Sequence, residues 1–498
     1  MASIFFRPVL GLSIAMLFPA AASLAAQERC QAGPSGDAAA WIERAIDATR
    51  MSRVPSITLD FVDIQSQNFQ SDRSYPPFFV STESGTLRFT PSTGTELRTS
   101  EQLYIASGLR PSPTMLSNRR ATYRLRDSVF VPFPGGHGFF TARSRPLNAW
   151  AVLLDWRDAP GVRVVGRCFY RDYWRTVLHR TDAGGMDQRL FLDARTAFPV
   201  KLDWTEPDGF GLWGSRQVEY LYTNWYAIQG ALYPMSSFRI VDGEPELTRN
   251  AAGATADGVQ APDFVIPDTA DMSRAPGPAA MFPPPDTVRV GPNTFLLTNP
   301  IYTNVVALAR DTVFILDAQA PGEARARQDS SWIARLFPGR HPFVLVVTDL
   351  AWPHISGVRF WVATGATVVS HPASRGFLAR VIERRWTGDP DKLEQNRRNV
   401  RWRFVPVADS LSLGGGAVRL YPIDGIGSEG ALMAWLPADG FLYPGDFIQD
   451  ATAPSAYASE VWRAVRRVGV RPARTAAMHL PLTPWSTVDS LVGRNEGP

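Results

Sequence analysis

The pattern of apolar residues changes once along this chain, and that change limits the folds the chain can adopt. From Ser56 to about Pro267, short runs alternate apolar and polar residues and are separated by Gly, Pro, Asp and Asn. Such alternation predicts strands of an antiparallel sheet with one covered face. From Thr287 onward, continuous apolar runs such as Phe343–Val347 alternate with helical patterns. These runs predict a domain of buried sheets and helices.

A stretch rich in Pro, Ala and Gly separates the two patterns. It covers residues 273–286, lacks apolar periodicity and contains three consecutive prolines from Pro283. This composition is typical of a semi-rigid linker. We therefore expect a β-rich domain over residues 27–272 and a second domain over residues 287–498. A helix over 38–50 is expected before the first sheet, because Trp41, Ile42, Ala45 and Ile46 share one helical face. A second helix is expected within the β-rich domain at 148–155.

The first 26 residues have the parts of a secretory signal peptide. Arg7 supplies the charged start, an apolar run follows from Leu10 to Leu17, and small residues around Ala25 offer a cleavage site. The mature chain would then begin near Gln27 and be periplasmic or secreted. An uncleaved anchor is the alternative, although the run is short and Pro19 interrupts it. No other run is long enough to span a membrane once this segment is removed.

Charge and cysteine content narrow the functional classes. The net charge of +4 comes from scattered arginines, with only Lys201 and Lys392 as lysines, so no nucleic-acid partner is expected. The segment Gly425–Gly430 matches a dinucleotide-binding pattern, but a strand pattern follows it where a helix is required. Export would allow Cys30 and Cys168 to form a disulfide, and buried free thiols are the alternative.

Five landmarks of the second domain follow one another in a defined order. They are Thr294–Leu297; the strand Val313–Leu316 ending in Asp317; the turn Val347–Gly357; Gly427–Gly430 with the strand after it and the pair Gly445–Asp446; and Met478–Ser486. Together these landmarks resemble the metallo-β-lactamase superfamily over residues 287–492. The resemblance implies an αββα sandwich and a hydrolase site that uses metal ions.

Most of the metal-ligand positions implied by this resemblance hold other residues here. In chain order the seven positions are occupied by Asp349, Ala351, Pro353, His354, Gly427, Asp446 and His479. In the family, three histidines hold one metal ion, at the positions of Asp349, Ala351 and Gly427. Alanine and glycine side chains have no donor atom, so the resemblance implies that this metal position is lost.

The second metal position keeps three of its four ligands. His354, Asp446 and His479 remain, and Pro353 replaces the fourth ligand. Two histidines and a carboxylate with one open position form a zinc composition used in catalytic sites. The resemblance therefore implies one Zn²⁺ on these three residues, with Asp349 as a catalytic carboxylate that adds a ligand or orients water. A structural role stays open for His354 and Asp446, since buried polar groups usually bond within the fold.

The first domain has a resemblance of its own. Residues Leu190–Lys201 and Tyr222–Pro234 are similar to consecutive hairpins of lipoprotein-carrier-like half-barrels. This resemblance implies a curled antiparallel sheet around an apolar groove that takes a small-molecule or lipid-like ligand. Alternatively, the apolar face of the sheet packs on the domain's own helices.

Two functions follow from the sequence. The first is an exported hydrolase that cuts ester-type or amide-type bonds with one metal ion. The alternative is a catalytically inactive pseudo-enzyme that binds an apolar ligand or a cell-envelope partner. The sequence names neither the substrate nor the oligomeric state.

Overall fold

The computed structural model describes most of both predicted domains. The described ranges are residues 29–33, 36–66, 79–104, 108–119, 122–126, 129–133, 143–182, 184–209, 211–256, 283–425, 429–449 and 456–496. The predicted signal peptide, most of the predicted linker and Gly427 lie outside these ranges. Within them, no helix is both long enough and apolar enough to cross a membrane.

The described residues of the N-terminal part form antiparallel strands and two α-helices of nine or more residues. They are β1 (Arg29–Gln31), α1 (Ala38–Thr49), β2 (Ile57–Ser66), β3 (Phe79–Thr90), β4 (Thr95–Tyr104), β5 (Gly108–Pro111), β6 (Met115–Ser117), β7 (Thr122–Arg126), β8 (Val129–Pro132), α2 (Ala149–Arg157), β9 (Arg163–Tyr170), β10 (Tyr173–Thr181), β11 (Asp187–Asp193), β12 (Pro199–Pro207), β13 (Ser215–Ile228), β14 (Ala231–Val241) and β15 (Glu244–Thr255). The predicted first helix is confirmed, and the Asp37 side chain caps it by accepting from Ala39 N.

One sheet contains all of these strands. Its order is β1-β9-β10-β11-β12-β13-β14-β15-β2-β3-β4-β6-β7-β8, and β5 pairs with β4. The two helices cover one face of it, and the core between them includes Trp150 and Trp156 of α2, which are 0% and 1% exposed. The apolar face of this sheet therefore packs on the domain's own helices, which is the alternative that the sequence left open. The half-barrel arrangement itself remains a prediction.

The two cysteines form a disulfide. Cys30 of β1 and Cys168 of β9 lie directly opposite each other in the register of the two strands, and their sulfur atoms are bonded. The bond fixes the edge strand β1 to the sheet across 138 residues of sequence.

The C-terminal part has two further sheets. The first contains β16 (Asp286–Gly291), β17 (Thr294–Thr298), β18 (Thr303–Ala309), β19 (Thr312–Leu316), β20 (Phe343–Val346), β21 (Thr367–Ser370) and β22 (Arg403–Pro406), in that order. The second contains β23 (Leu411–Leu413), β24 (Val418–Pro422), β25 (Leu432–Leu436), β26 (Phe441–Tyr443), β27 (Arg474–Thr475) and β28 (Thr483–Pro484). Strands β19, β20, β21 and β22 pair in parallel. The apolar runs of the first three are largely buried, as the sequence predicts, whereas β22 at the end of the sheet order is partly exposed.

Helices cover the outer faces of both sheets. The first sheet carries α3 (Gly322–Leu336), α4 (Trp352–Ile355), α5 (Val358–Ala363), α6 (Arg375–Glu383) and α7 (Lys392–Asn396), and the second carries α8 (Ala456–Val468) and α9 (Trp485–Glu496). A separate apolar core fills the space between the two sheets and includes Leu316, Val346, Leu432, Leu436 and Phe441. The layers therefore run helix, sheet, sheet, helix, which is the αββα order expected from the sequence.

A loop of the N-terminal part enters the C-terminal part. Between β12 and β13, Leu212 and Trp213 are 0% and 4% exposed and belong to the core under α3, α5 and α6. The Trp213 ring meets Phe377 edge-on, with centroids 5.6 Å apart. Arg384 also binds across this junction, to the Ser215 carbonyl at 2.8 Å. This contact joins one end of the large sheet to the αββα sandwich.

Candidate functional site

Loops from both sheets of the sandwich meet at one edge. Strands β19 and β20 are parallel neighbours, so Asp317 and Thr348, which follow them, lie side by side. The second sheet joins them through a hydrogen bond from Leu432 N to the Thr348 carbonyl, at 2.8 Å. A bond from Met478 N to the Gly445 carbonyl, at 2.9 Å, ties its two last loops together. The turn that begins at Thr348 therefore lies where the four loops converge.

Asp317 is the fixed centre of this edge. Its side chain is fully buried and accepts hydrogen bonds from Thr348 N at 2.8 Å and from the Tyr443 hydroxyl at 3.0 Å. The Thr348 hydroxyl also donates to it, at 2.8 Å to Oδ2. Asp317 is thus a buried acceptor that links the Thr348 turn to Tyr443 of the second sheet, and the sequence marks it only as a landmark at a strand end.

His354 lies between two carboxylates. Its Nδ1 donates to Asp317 Oδ2 at 2.8 Å, which leaves Nε2 pointing to the other side. There Asp349 Oδ2 lies 3.3 Å from Nε2, yet Nε2 makes no hydrogen bond. The other carboxylate oxygen of Asp349 accepts from Ala351 N at 2.8 Å, which holds the side chain in place.

His479 and Asp446 form a second pair at the same edge. His479 Nδ1 lies 2.8 Å from the Ile301 carbonyl, and because a carbonyl only accepts, Nδ1 carries a proton. His479 Nε2 then lies 3.5 Å from Asp446 Oδ1, a buried oxygen without a hydrogen bond. Gln449 donates to the other Asp446 oxygen at 3.0 Å. The Tyr302 ring covers His479, with ring centroids 5.4 Å apart.

Burial and mutual charge change the protonation of these groups. Burial raises the pKa of Asp349 to about 7, and the carboxylates of Asp317 and Asp446 add to that rise. Burial alone would lower the pKa of His354, but the Asp349 and Asp317 carboxylates outweigh it and raise the pKa to about 9. Burial also raises the pKa of Asp446. Burial of three carboxyl groups beside two imidazoles therefore favours the neutralisation of this edge by protons or by a cation.

The distances between these side-chain atoms show whether a metal ion suits them. Two ligands on one tetrahedral zinc ion lie about 3.4 Å apart when each bond is about 2.0–2.1 Å long, and the two His–Asp contacts are 3.3 and 3.5 Å. In each pair the second ring nitrogen is held by a carboxylate or a carbonyl, as in metal-bound histidines. The donor set and the two atoms without hydrogen bonds therefore suit a cation.

The three predicted ligands nevertheless do not form one group. In the part of the chain that the structure describes, no three His, Cys, Asp or Glu side chains form a group placed to hold one metal ion. His479 lies with Asp446, while His354 lies with Asp349 and Asp317. Ala351 contributes backbone groups to this edge: its N–H donates to Asp349, and its carbonyl accepts from His354 N at 2.9 Å. Pro353 occupies the first turn of α4, and Gly427 lies outside the described residues.

Comparison with known proteins finds similarity among solved structures only. No protein-family model matches the sequence, and no curated protein matches it. The DIM-1 metallo-beta-lactamase matches at a TM-score of 0.33 and 12% identity, over 42% of this chain and 96% of that one. A metallo-beta-lactamase from Erythrobacter litoralis gives 0.32 and 14%, over 42% and 96%. One from Pontibacter korlensis gives 0.31 and 13%, over 43% and 100%. Likeness at these values carries no statement about ligands or activity.

Proposed function

We propose that this protein is an exported hydrolase of ester-type or amide-type bonds that works with a single metal ion. His354, Asp446 and His479 are the ligands, and Asp349 is the catalytic carboxylate beside them. The observation that carries the proposal is the pair of buried atoms without hydrogen bonds, His354 Nε2 and Asp446 Oδ1. Asp446 Oδ1 lies 3.5 Å from the ligand atom His479 Nε2, which is the spacing of two ligands on one ion. His354 Nε2 lies 3.3 Å from Oδ2 of the catalytic Asp349. The proposal requires the His354–Asp349 pair and the His479–Asp446 pair to share one ion.

The chain's own residues have separate tasks in this reaction. Asp317 and the Ile301 carbonyl fix the rings of His354 and His479 by binding their Nδ1 protons. A bound zinc ion would supply Lewis acidity at the carbonyl to be cleaved. Asp349, whose pKa is raised to about 7 by burial, is suited to take a proton from water and return it to the leaving group.

The aromatic residues beside the pairs shield this edge from water. Tyr302 is 6% exposed, and its ring meets that of Trp352 edge-on with centroids 5.9 Å apart. Burial raises the pKa of the Tyr302 hydroxyl, and the neighbouring Asp446 carboxylate adds to the rise. An apolar wall of this kind favours substrates whose acyl side is apolar or aromatic.

Export is supported by two features of the chain. The N-terminal segment has the pattern of a signal peptide, and the Cys30–Cys168 disulfide is of a kind that persists mainly in oxidising compartments. We propose a periplasmic or secreted location on these grounds.

The second candidate function is the metal-free pseudo-enzyme that binds an apolar ligand or a cell-envelope partner. It is favoured by the finding that no three ligand side chains form one metal-holding group among the described residues. In that case His354 is a protonated imidazolium between Asp317 and Asp349, and protons neutralise the cluster in place of a metal ion.

Hydrolysis of simple probes distinguishes the two functions. Mature protein beginning at residue 27 is incubated with zinc and assayed on p-nitrophenyl esters of increasing acyl length and on nitrocefin. The hydrolase is expected to turn over at least one probe, with kcat/KM reduced about 100-fold in His479→Ala. His341→Ala is the matched control. His341 precedes β20, whereas the site residues follow that strand, so His341 lies at the opposite end of the strand. Equal rates in both variants and in wild type, or no turnover at all, would support the pseudo-enzyme.

A further inference from the structure

The large sheet exposes aromatic side chains at one end. Three hairpin turns lie there: β9–β10, β11–β12 and β13–β14, because antiparallel strands place alternate turns at the same end. Tyr173, Trp174 and Tyr226 on these turns are 62%, 39% and 68% exposed. We call these three turns together with Arg29, which pairs with Phe169 in the strand register, the aromatic end.

Contacts between neighbouring turns make the aromatic end one continuous surface. The Phe169 and Trp174 rings meet edge-on with centroids 5.6 Å apart. The Trp174 carbonyl accepts from Ala194 N of the next turn at 3.3 Å. Phe198 of that turn stacks on Trp225 of the third, with centroids 4.8 Å apart. The Trp174 ring is therefore held against the sheet, and Tyr173 and Tyr226 lie next in sequence to residues that make these contacts.

Arginines surround these rings. Arg29, Arg171 and Arg195 are exposed at the aromatic end, and none of the ion pairs found among the described residues includes them. Asp193 is the partner of Arg175, so Asp172 is the acidic side chain of these turns that carries no described ion pair. Positive charge exceeds negative charge on the turns themselves.

The aromatic end faces away from the αββα sandwich, and Arg44 of α1 binds the Arg195 carbonyl at 2.7 Å. The loop that enters the αββα sandwich precedes β13, and Asp242, which binds Arg384 of the sandwich at 3.0 Å, follows β14. Both lie at the other end of the sheet. Strand β13 has 14 residues, so at about 3.3 Å per residue the two ends are about 45 Å apart. Nothing in the described part of the second domain covers the exposed rings.

We propose that the aromatic end docks on a membrane surface that contains anionic lipids. Tyrosine and tryptophan side chains are suited to the boundary between headgroups and acyl chains, because each has an apolar ring and a polar tip. Arginines beside them bind lipid phosphates while their stems stay in the apolar layer. Docking in this orientation holds the candidate active site away from the bilayer. This proposal does not depend on the proposed hydrolase activity.

Vesicle flotation tests the docking surface. Full-length mature protein is floated with vesicles of phosphatidylglycerol and phosphatidylethanolamine, and with vesicles of phosphatidylcholine alone. Wild type is expected to float with the anionic vesicles, and a blue shift of tryptophan fluorescence should accompany binding. The variant Arg171→Gln/Arg195→Gln should bind about 25-fold more weakly, at about fivefold for each arginine near an anionic surface. Tyr173→Ser/Tyr226→Ser should also weaken binding to the anionic vesicles and should reduce the fluorescence shift.

Matched controls exclude general effects of charge and folding. Arg340→Gln/Arg401→Gln removes two exposed arginines of the sandwich and should leave flotation unchanged. All variants should keep the wild-type melting temperature, because each altered side chain is exposed. The proposal is overturned if wild type does not float, or if both arginine pairs weaken binding equally. It is also overturned if acidic protein or nucleic acid binds the aromatic end while anionic vesicles do not.

Discussion

At the scale of single residues, His354 and Asp349 make the stability of the metal-free protein depend on pH. The pKa of His354 is raised to about 9 from an ordinary 6.5, so its contribution is complete below pH 6.5 and is lost as the pH rises through 9. The pKa of Asp349 is raised to about 7 from 3.8, so its protonated form stabilises below pH 3.8 and that contribution is lost as the pH rises through 7.

Both residues therefore predict a loss of stability as the pH rises from about 4 to about 9. Urea unfolding in the presence of a chelator, at a series of pH values, measures the slope. Asp349→Asn should flatten it, since the variant removes one titrating group and one of the carboxylates that raise the His354 pKa. A slope that is unchanged in Asp349→Asn would mean that the pair does not titrate in this range.

Asp317 gives a second prediction at this scale. It holds the His354 ring through Nδ1, so Asp317→Asn is expected to weaken zinc binding by about 10- to 100-fold. The variant keeps the shape of the side chain and an acceptor for Thr348 N. Zinc titration calorimetry at fixed pH measures the loss, with Asp311→Asn at an exposed turn as the control. Unchanged zinc affinity in Asp317→Asn would show that His354 is not a ligand.

The sequence predicts which candidate residues belong together, but not the contacts that each of them makes. The family resemblance of the ordered landmarks implies that His354, Asp349, Asp446 and His479 lie at one edge. It does not predict that His354 contacts Asp317 across 37 positions. Contacts between side chains so far apart in sequence depend on side-chain rotamers and loop conformations, and a local sequence pattern does not specify these.

At the scale of elements, the disulfide secures the edge strand β1. Replacing both cysteines, Cys30→Ser/Cys168→Ser, is expected to lower the free energy of unfolding by about 2–5 kcal/mol, because the unfolded chain loses a crosslink that closes a long loop. Chemical denaturation of wild type and variant under the same conditions measures the difference. A change below about 0.5 kcal/mol, within the range of ordinary surface substitutions, would contradict a stabilising role.

The loop before β13 gives a further prediction. Trp213 is 4% exposed within the core of the sandwich, and Trp213→Ala should cost about 3–5 kcal/mol through lost burial and the cavity left behind. If the loop couples the two parts, calorimetry of the variant should show two separate transitions where wild type shows one. Tyr173→Ala, at an exposed position, should leave the trace unchanged. A single unchanged transition in Trp213→Ala would mean that the loop does not couple them.

Element type is easier to predict from the sequence than element boundaries. Helix α2 is expected at residues 148–155 and is observed at Ala149–Arg157, with Asn148 as its cap. Helix α9 is missed, because Met478–Ser486 resembles a loop that closes the domain. Val488 and Val492 of α9 are buried at helical spacing, which is the signal that predicts this helix.

At the scale of the whole molecule, the large sheet separates the two surfaces for which we propose functions. One end holds the αββα sandwich through Trp213 and Arg384, and the other end carries the exposed rings. The sequence predicts two parts because a change in apolar period reflects how many faces of a sheet are covered. It does not predict the contact between the parts, since the loop that makes it is short and its sequence resembles an ordinary turn.

The central claim is that one metal ion joins the two His–Asp pairs, and the zinc content of the mature protein tests it most directly. Protein purified after incubation with zinc and extensive dialysis should retain one ion per chain, as measured by mass spectrometry of the metal. His354→Ala and His479→Ala should each lose it, because each removes a ligand from a different pair, while His341→Ala retains it. A wild-type protein that retains no zinc, or that retains it equally in all three variants, would contradict the claim.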